Sequence, residues 1–126
     1  MSEKHIILAR VWAVAGYIWF VLIAVLSLLP SDNFASFSWS HLIGLDKVGH
    51  AIFYGVFYVL HYQSRSAQDD KRKYYPLFAA GAAMYGVILE LLQSYMYLGR
   101  HFDVLDLIAN IIGLLIALGI TGLLNK

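Results

Sequence analysis

Residues 77–124 read LFAAGAAMYGVILELLQSYMYLGRHFDVLDLIANIIGLLIALGITGLL. Two apolar runs, 77–98 and 104–124, each approach the ~20 residues that a helix rising ~1.5 Å per residue needs to cross a hydrocarbon layer. A short polar turn carrying Arg100 joins them, so they predict an antiparallel helix pair. Neither run is cleanly apolar. Glu90 and Gln93 interrupt the first, and Asp103, Asp106 and Asn110 lie at the start of the second.

Upstream, residues 6–29 form a third apolar segment, stopped by Pro30. Lys4, His5 and Arg10 precede its continuous run from Val11 to Leu29 in the manner of a secretory signal. That run exceeds the ~7–15 residues of a signal core, and no small-x-small cleavage site follows, so it reads as a retained helix. Residues 47–62, opened by Asp46, are aromatic-rich and short; tilt or local thinning of the bilayer lets such a segment span. Composition agrees with a membrane solvent. Hydrophobic residues make up 60% of the 126 and charged residues 13%, against ~25% charged in soluble proteins. The expected fold is all-α: a single domain over 1–126, a polytopic membrane protein with a four-transmembrane-helix bundle. Residues 31–45, with Phe34, Phe37 and Trp39 among serines, are too apolar for a free loop and too short to span. They predict an interfacial or re-entrant segment after helix 1.

The basic residues set an orientation. Lys4, Arg10, Arg65, Lys71, Arg72, Lys73 and Lys126 share one side of this bundle, with only Lys47 and Arg100 on the other. The positive-inside rule then places both termini and the middle loop in the cytoplasm. Tyr74, Tyr75, Tyr95 and Tyr97 suit interfacial belts. A net charge of +1 gives no reason to expect a nucleic-acid partner, and the absence of cysteine removes disulfides and thiolate chemistry.

The remaining polar residues fall in stripes. Asp46 and His50 are i and i+4, with Tyr54 continuing the face; Glu90 and Gln93 are i and i+3; Asp103, Asp106 and Asn110 follow at spacings of three and four. All lie toward the outer side. A charge at mid-helix costs ~2.5–3.5 kcal/mol on insertion scales, so Glu90 requires a partner, and Arg100, Lys47 and His50 are the available cations. Each residue also has a plainer reading. Glu90 and Gln93 can act as helix–helix glue, Asp106 and Asn110 as cap and glue of the last helix, His50 as a structural donor, and Arg100 as a snorkelling side chain.

The order Asp46-Lys47-x-x-His50-x-x-x-Tyr54, Glu90-x-x-Gln93, Arg100-x-x-Asp103-x-x-Asp106-x-x-x-Asn110-x-x-Gly113 resembles the VanZ-like family of small bacterial membrane proteins. The resemblance runs from Pro30 to the last helix. It implies a multi-pass protein of the bacterial inner (cytoplasmic) membrane and a cell-envelope setting, in a family named for a protein of low-level glycopeptide (teicoplanin) resistance.

Three functions remain open. In the first, an anionic envelope lipid or glycolipid binds near the outer face. Lys47, His50 and Arg100 hold the anion, while Asp46, Tyr54, Glu90, Gln93, Asp103, Asp106 and Asn110 read hydroxyls. The second is an intramembrane enzyme on such a lipid, with His50 or Glu90 as acid/base. The third is a structural or accessory subunit. No polar residue lies deep in the cytoplasmic half, which disfavours a proton-coupled transporter. Asp46, His50, Glu90 and Asp106 are chemically able to hold a metal, but no HExxH-type pair organises them, and no metal or other cofactor is expected. Membrane lipids are the expected partners. The spacing Ala109-x-x-x-Gly113-x-x-x-Ala117 permits close helix packing, within the chain or between copies, and leaves the oligomeric state open.

Overall fold

The computed structural model describes residues 3–29, 43–65, 71–96 and 101–124. Among them are α1 (Glu3–Leu28), α2 (Ile43–Gln63), α3 (Lys71–Tyr95) and α4 (Val104–Leu124), and no strand. Three stretches, Glu3–Leu28, Tyr74–Tyr95 and Val104–Leu124, are long and apolar enough to cross a membrane. Their outward faces carry Val, Ile and Leu, as at Ile18, Val21, Leu105, Ile112, Leu115 and Ile116. A soluble protein does not expose apolar surface on this scale, and the chain is a membrane protein. Helix α2 is outside that set, because Asp46, Lys47, His50 and His61 dilute its apolar content.

Two helix starts differ from the sequence expectation. Helix α2 begins at Ile43 rather than at residue 47, so Asp46 falls in its first turn, where a carboxylate complements the positive end of the helix dipole. Helix α3 begins at Lys71 and runs through Pro76 instead of starting after it. Proline there forfeits the bond to residue 72, a loss confined to the first turns. Of the expected interfacial segment 31–45, residues 43–45 belong to α2, and residues 31–42 lie outside the described residues.

Helix α2 is central: it packs on α1, α3 and, most extensively, α4. The α2–α4 contact rests on absent side chains. A Cβ on Gly113 would fall onto the Ala51 carbonyl and lie 2.8 Å from Ala51 Cα, and one on Gly55 would lie 3.2 Å from the Gly113 carbonyl oxygen. Ala109 and Ala117 are buried on the same face. The small-residue stripe of α4 is thus used within the chain, against α2. Helix α1 is tied on by Trp19 Nε1, which donates to the Phe53 carbonyl at 2.9 Å, and by Tyr85 Oη, which donates to the Phe20 carbonyl at 2.8 Å.

Successive helices alternate in direction, so side chains gather at two ends. At the end with the α2 C-terminus and the α3 N-terminus, aromatic rings form the core. Tyr58 is fully buried among Tyr62, Tyr75 and Phe78, and His61 stacks on Phe78 with centroids 3.6 Å apart. Tyr75 turns inward, donating to the Tyr62 carbonyl at 3.2 Å, and does not join an interfacial belt. The opposite end collects the C-termini of α1 and α3 and the N-termini of α2 and α4, and it carries Asp46, Glu90, Asp103 and Asp106.

Candidate functional site

The site begins with the closeness of α2 and α4. Because Gly113 lets the two backbones touch, the first turns of both helices present their polar stripes to each other. The Lys47 ammonium lies between them. Its Nζ donates to Asp103 Oδ2 at 2.5 Å and to Asp106 Oδ1, and it stands 3.7 Å from Asp46 Oδ2. One turn deeper, His50 Nε2 is 3.5 Å from Asp106 Oδ2, and His50 Nδ1 is 3.1 Å from Asn110 Oδ1. Asp106 therefore uses one oxygen for Lys47 and turns the other toward His50.

Asp103 stands before the first turn of α4 and accepts from the Leu105 backbone N–H at 2.8 Å. This is the role of an N-cap, satisfying a backbone donor that the helix start leaves unpaired. The Lys47 bond, with help from that N–H, holds the Asp103 carboxyl below the usual carboxylate range. The Asp103 backbone N–H points the other way and donates to Glu90 Oε2 at 3.3 Å. Glu90 is only 2% exposed. That bond from Asp103 turns the carboxylate that interrupts the apolar run of α3 toward the cluster rather than lipid.

Tyr54 and Asn110 form the floor. Both are buried, and both flank Gly86 of α3: a Cβ there would lie 2.8 Å from Asn110 Nδ2 and 3.0 Å from Tyr54 Oη. Gly86 thus admits a hydroxyl and an amide between three helices. Sequence reading missed this position, and a glycine one turn before Glu90 on the α3 face is the signal that could have found it.

The polar residues expected from sequence do not all converge. Asp46, Lys47, His50, Glu90, Asp103, Asp106 and Asn110 form one connected cluster above Tyr54. Gln93 is buried nearby but turns to α1, where its Nε2 donates to the Ser27 carbonyl at 2.5 Å. Ser27 is in the last turn of α1, whose carbonyls lack intrahelical partners, so Gln93 closes that helix end. No side-chain signal marked a backbone carbonyl as its partner. Arg100 lies outside the described residues.

The helices that carry these residues fall within the span of a family model. The model described as VanZ/LLP1 covers residues 7–125. The chain belongs to the VanZ/LLP1 family. No curated protein and no solved structure matches it. In this VanZ/LLP1 protein the cluster grades from a wet rim to a dry floor. The Asp46 and Asp103 side chains are 61% and 40% exposed, those of Lys47 and His50 23% and 18%, and Asn110 is 2% exposed. Such a gradient can accept a polar group from the interface, desolvate it stepwise and offer it both donors and acceptors.

Proposed function

We propose that this VanZ/LLP1 protein is a four-span protein of the bacterial cytoplasmic membrane that binds an envelope lipid through its headgroup at the outward-facing end. The observation that carries this reading is the convergence of Asp46, Lys47, His50, Glu90, Asp103, Asp106 and Asn110 into one site open at the rim. Helix glue needs no opening. In this reading α2 crosses the membrane with the other three helices, since it is packed between them. The basic residues at the other end (Arg10, Arg65 and Lys71–Lys73 among them) face the cytoplasm.

The balance of groups suggests the headgroup chemistry. Four carboxylates, Asp46, Glu90, Asp103 and Asp106, accompany Lys47 and His50. Carboxylates accept from hydroxyls, so a sugar or polyol headgroup fits the acceptors, while Lys47 and His50 hold its phosphate. A second reading, an intramembrane enzyme, draws on one specific observation: His50 is held between Asp106 and Asn110 as an oriented acid/base would be. Its mark is turnover of the bound lipid.

Binding is tested in nanodiscs by competing anionic glycolipid or phosphatidylglycerol against phosphatidylcholine and reading retained lipid by native mass spectrometry. Wild type should retain the hydroxyl-bearing anionic lipid selectively. Glu90→Gln keeps the shape and should weaken retention by about tenfold, ~1.4 kcal/mol, with little change in melting. A loss of melting temperature with lipid retention intact would leave a structural bundle. Orientation is tested separately: the chain has no native cysteine, so Ser36→Cys should react with an impermeant thiol reagent added outside and Gln68→Cys should not.

A further inference from the structure

The orientation of His50 has a chemical consequence. Its Nδ1 lies 3.1 Å from the Asn110 side-chain oxygen, which only accepts, so Nδ1 carries the hydrogen. Asn110 Nδ2 lies on the side of Gly86 and Tyr54. In neutral imidazole this fixes the lone pair on Nε2, and Nε2 faces Asp106 Oδ2 at 3.5 Å. Two lone-pair atoms at that separation repel unless a proton or a metal ion lies between them. Asp46, one helical turn before His50, completes a group whose ligand atoms all lie within 4.8 Å of one another.

We propose that Asp46, His50 and Asp106 bind a divalent transition-metal ion of the Zn²⁺, Mn²⁺ or Co²⁺ class at the mouth of the site. This goes beyond the headgroup reading and departs from the sequence expectation of no metal. Three features support it. The first is distance: metal bonds of ~2.0–2.1 Å in tetrahedral array separate neighbouring donors by about 3.4 Å, which the Nε2–Oδ2 spacing of 3.5 Å matches. Asp46, exposed on the first turn of α2, keeps its ligand oxygen within 4.8 Å of the other two donors. The second is the outer shell. A ligating histidine characteristically donates its other ring N–H to an oxygen that fixes the ring, and Asn110 supplies that oxygen. The third is charge. Around this point Asp46, Asp103 and Asp106 face the single ammonium of Lys47, an excess of two negative charges that a divalent ion neutralises. Lys47 need not leave, because it bonds Asp106 Oδ1 while the metal takes Oδ2. Mixed nitrogen and carboxylate donors select this class of ion over thiophilic metals. The exposed rim supplies an entry path and leaves positions for water or a phosphate oxygen.

The experiment uses full-length protein in detergent micelles, stripped with chelator and free of added lipid, so its outcome is separate from that of headgroup binding. Co²⁺ binding is read from its visible ligand-field absorption and Zn²⁺ binding by calorimetry, with melting recorded for every variant. Wild type should take up one ion, Zn²⁺ should displace Co²⁺, and the absorption should report nitrogen and oxygen ligation. His50→Gln should abolish the Co²⁺ band. Asp46→Asn should weaken affinity at least tenfold, and Asn110→Ser by about 10–100-fold through the outer shell. His101→Gln, at an exposed histidine outside the cluster, should change nothing. Asp46 is 61% exposed and contributes a 3.7 Å ion pair and a first-turn charge to the fold, so its variant remains folded and decisive. Absence of saturable binding by wild type, or affinity retained in either His50→Gln or Asp46→Asn, would mean an adventitious ion only and would overturn the proposal.

Discussion

The two ends of the bundle solve the same problem, holding helices together without water, by different chemistry. At the aromatic end Tyr58, Tyr62, Tyr75 and Phe78 fill space, and their hydroxyls are absorbed locally: Tyr75 donates to the Tyr62 carbonyl, and Thr121 Oγ1 lies 3.4 Å from Tyr58 Oη. These buried hydroxyls are neutral and the packing is closed, while Arg65 lies over the Tyr74 ring at the exposed edge. At the carboxylate end Asp46, Glu90, Asp103 and Asp106 surround Lys47 and His50, and the rim is open. Neutral polar groups would tie helices at lower desolvation cost than charges do. Drawing buried carboxylates together between helices is therefore poorly explained by cohesion and well explained by a ligand.

The largest expected effect removes what both ends share. In Gly113→Leu the new side chain would enter the Ala51 backbone, which cannot move as a flexible side chain would. Separating α2 from α4 should dismantle the carboxylate cluster and loosen the aromatic core together. The expected loss is ~4–5 kcal/mol, at the exceptional end for a single substitution, or failure to recover folded protein. Intrinsic tryptophan fluorescence during thermal unfolding reads it. A stable Gly113→Leu variant would show that the α2–α4 contact does not hold the two ends in register.

The next effect should separate the ends. Tyr58→Ala empties the most deeply buried aromatic position and should cost ~3–5 kcal/mol, whereas Tyr58→Phe, which loses only a hydroxyl, should cost ~0.5–1.5 kcal/mol. Neither should alter lipid or metal binding at the carboxylate end, provided binding is measured below the lowered melting temperature. Weaker binding by folded Tyr58→Phe would join the two ends functionally and break the contrast.

The contrast was unevenly legible in the sequence. Helix number and the stripes at Asp46/His50, Glu90 and Asp103/Asp106/Asn110 followed from periodicity, because a charge in an apolar helix is conspicuous and must find company. Helix starts were less legible. Charge and proline look like boundaries, yet Asp46 lies inside the first turn of α2 and Pro76 inside α3, since a helix near the interface tolerates both. The partner of Gln93 was illegible, because every residue has a carbonyl and only the packing of α1 selects that of Ser27. The aromatic end was legible as composition but not as a core: Tyr74 and Tyr75 look alike in sequence, while only Tyr75 is buried.

A smaller effect probes whether the carboxylate end acts as a unit. Lys47 bonds both Asp103 and Asp106, so Lys47→Met leaves two carboxylates facing each other and should be more destabilising alone than when combined with Asp106→Asn. A double-mutant cycle should give a coupling of ~0.5–3 kcal/mol. Additive effects would reduce the cluster to independent surface charges.

The smallest effect concerns the rim and has a direction in pH. Asp103 accepts from Lys47 at 2.5 Å and from the Leu105 N–H at 2.8 Å, and these bonds hold its carboxyl below the ordinary value of 3.8. The folded protein therefore binds that proton more weakly than the unfolded chain does. The resulting stability is fully present above the ordinary value, and it is lost as pH falls from there through the depressed value of the folded state. Its size is limited by solvent, because the side chain is 40% exposed, and exposed ion pairs contribute ~0.2–1 kcal/mol. Asp103→Asn removes the charge but keeps an oxygen for the Leu105 N–H, so the variant should melt a few degrees below wild type at neutral pH, about 1–4 °C. That gap should close as the pH falls below the ordinary carboxyl value and through the depressed one. The neighbouring titrating groups, Asp46, His50, Glu90 and Asp106, are present in both proteins and largely cancel in the difference. A gap that persists unchanged at low pH would assign the effect to the cap on α4 rather than to the pairing with Lys47.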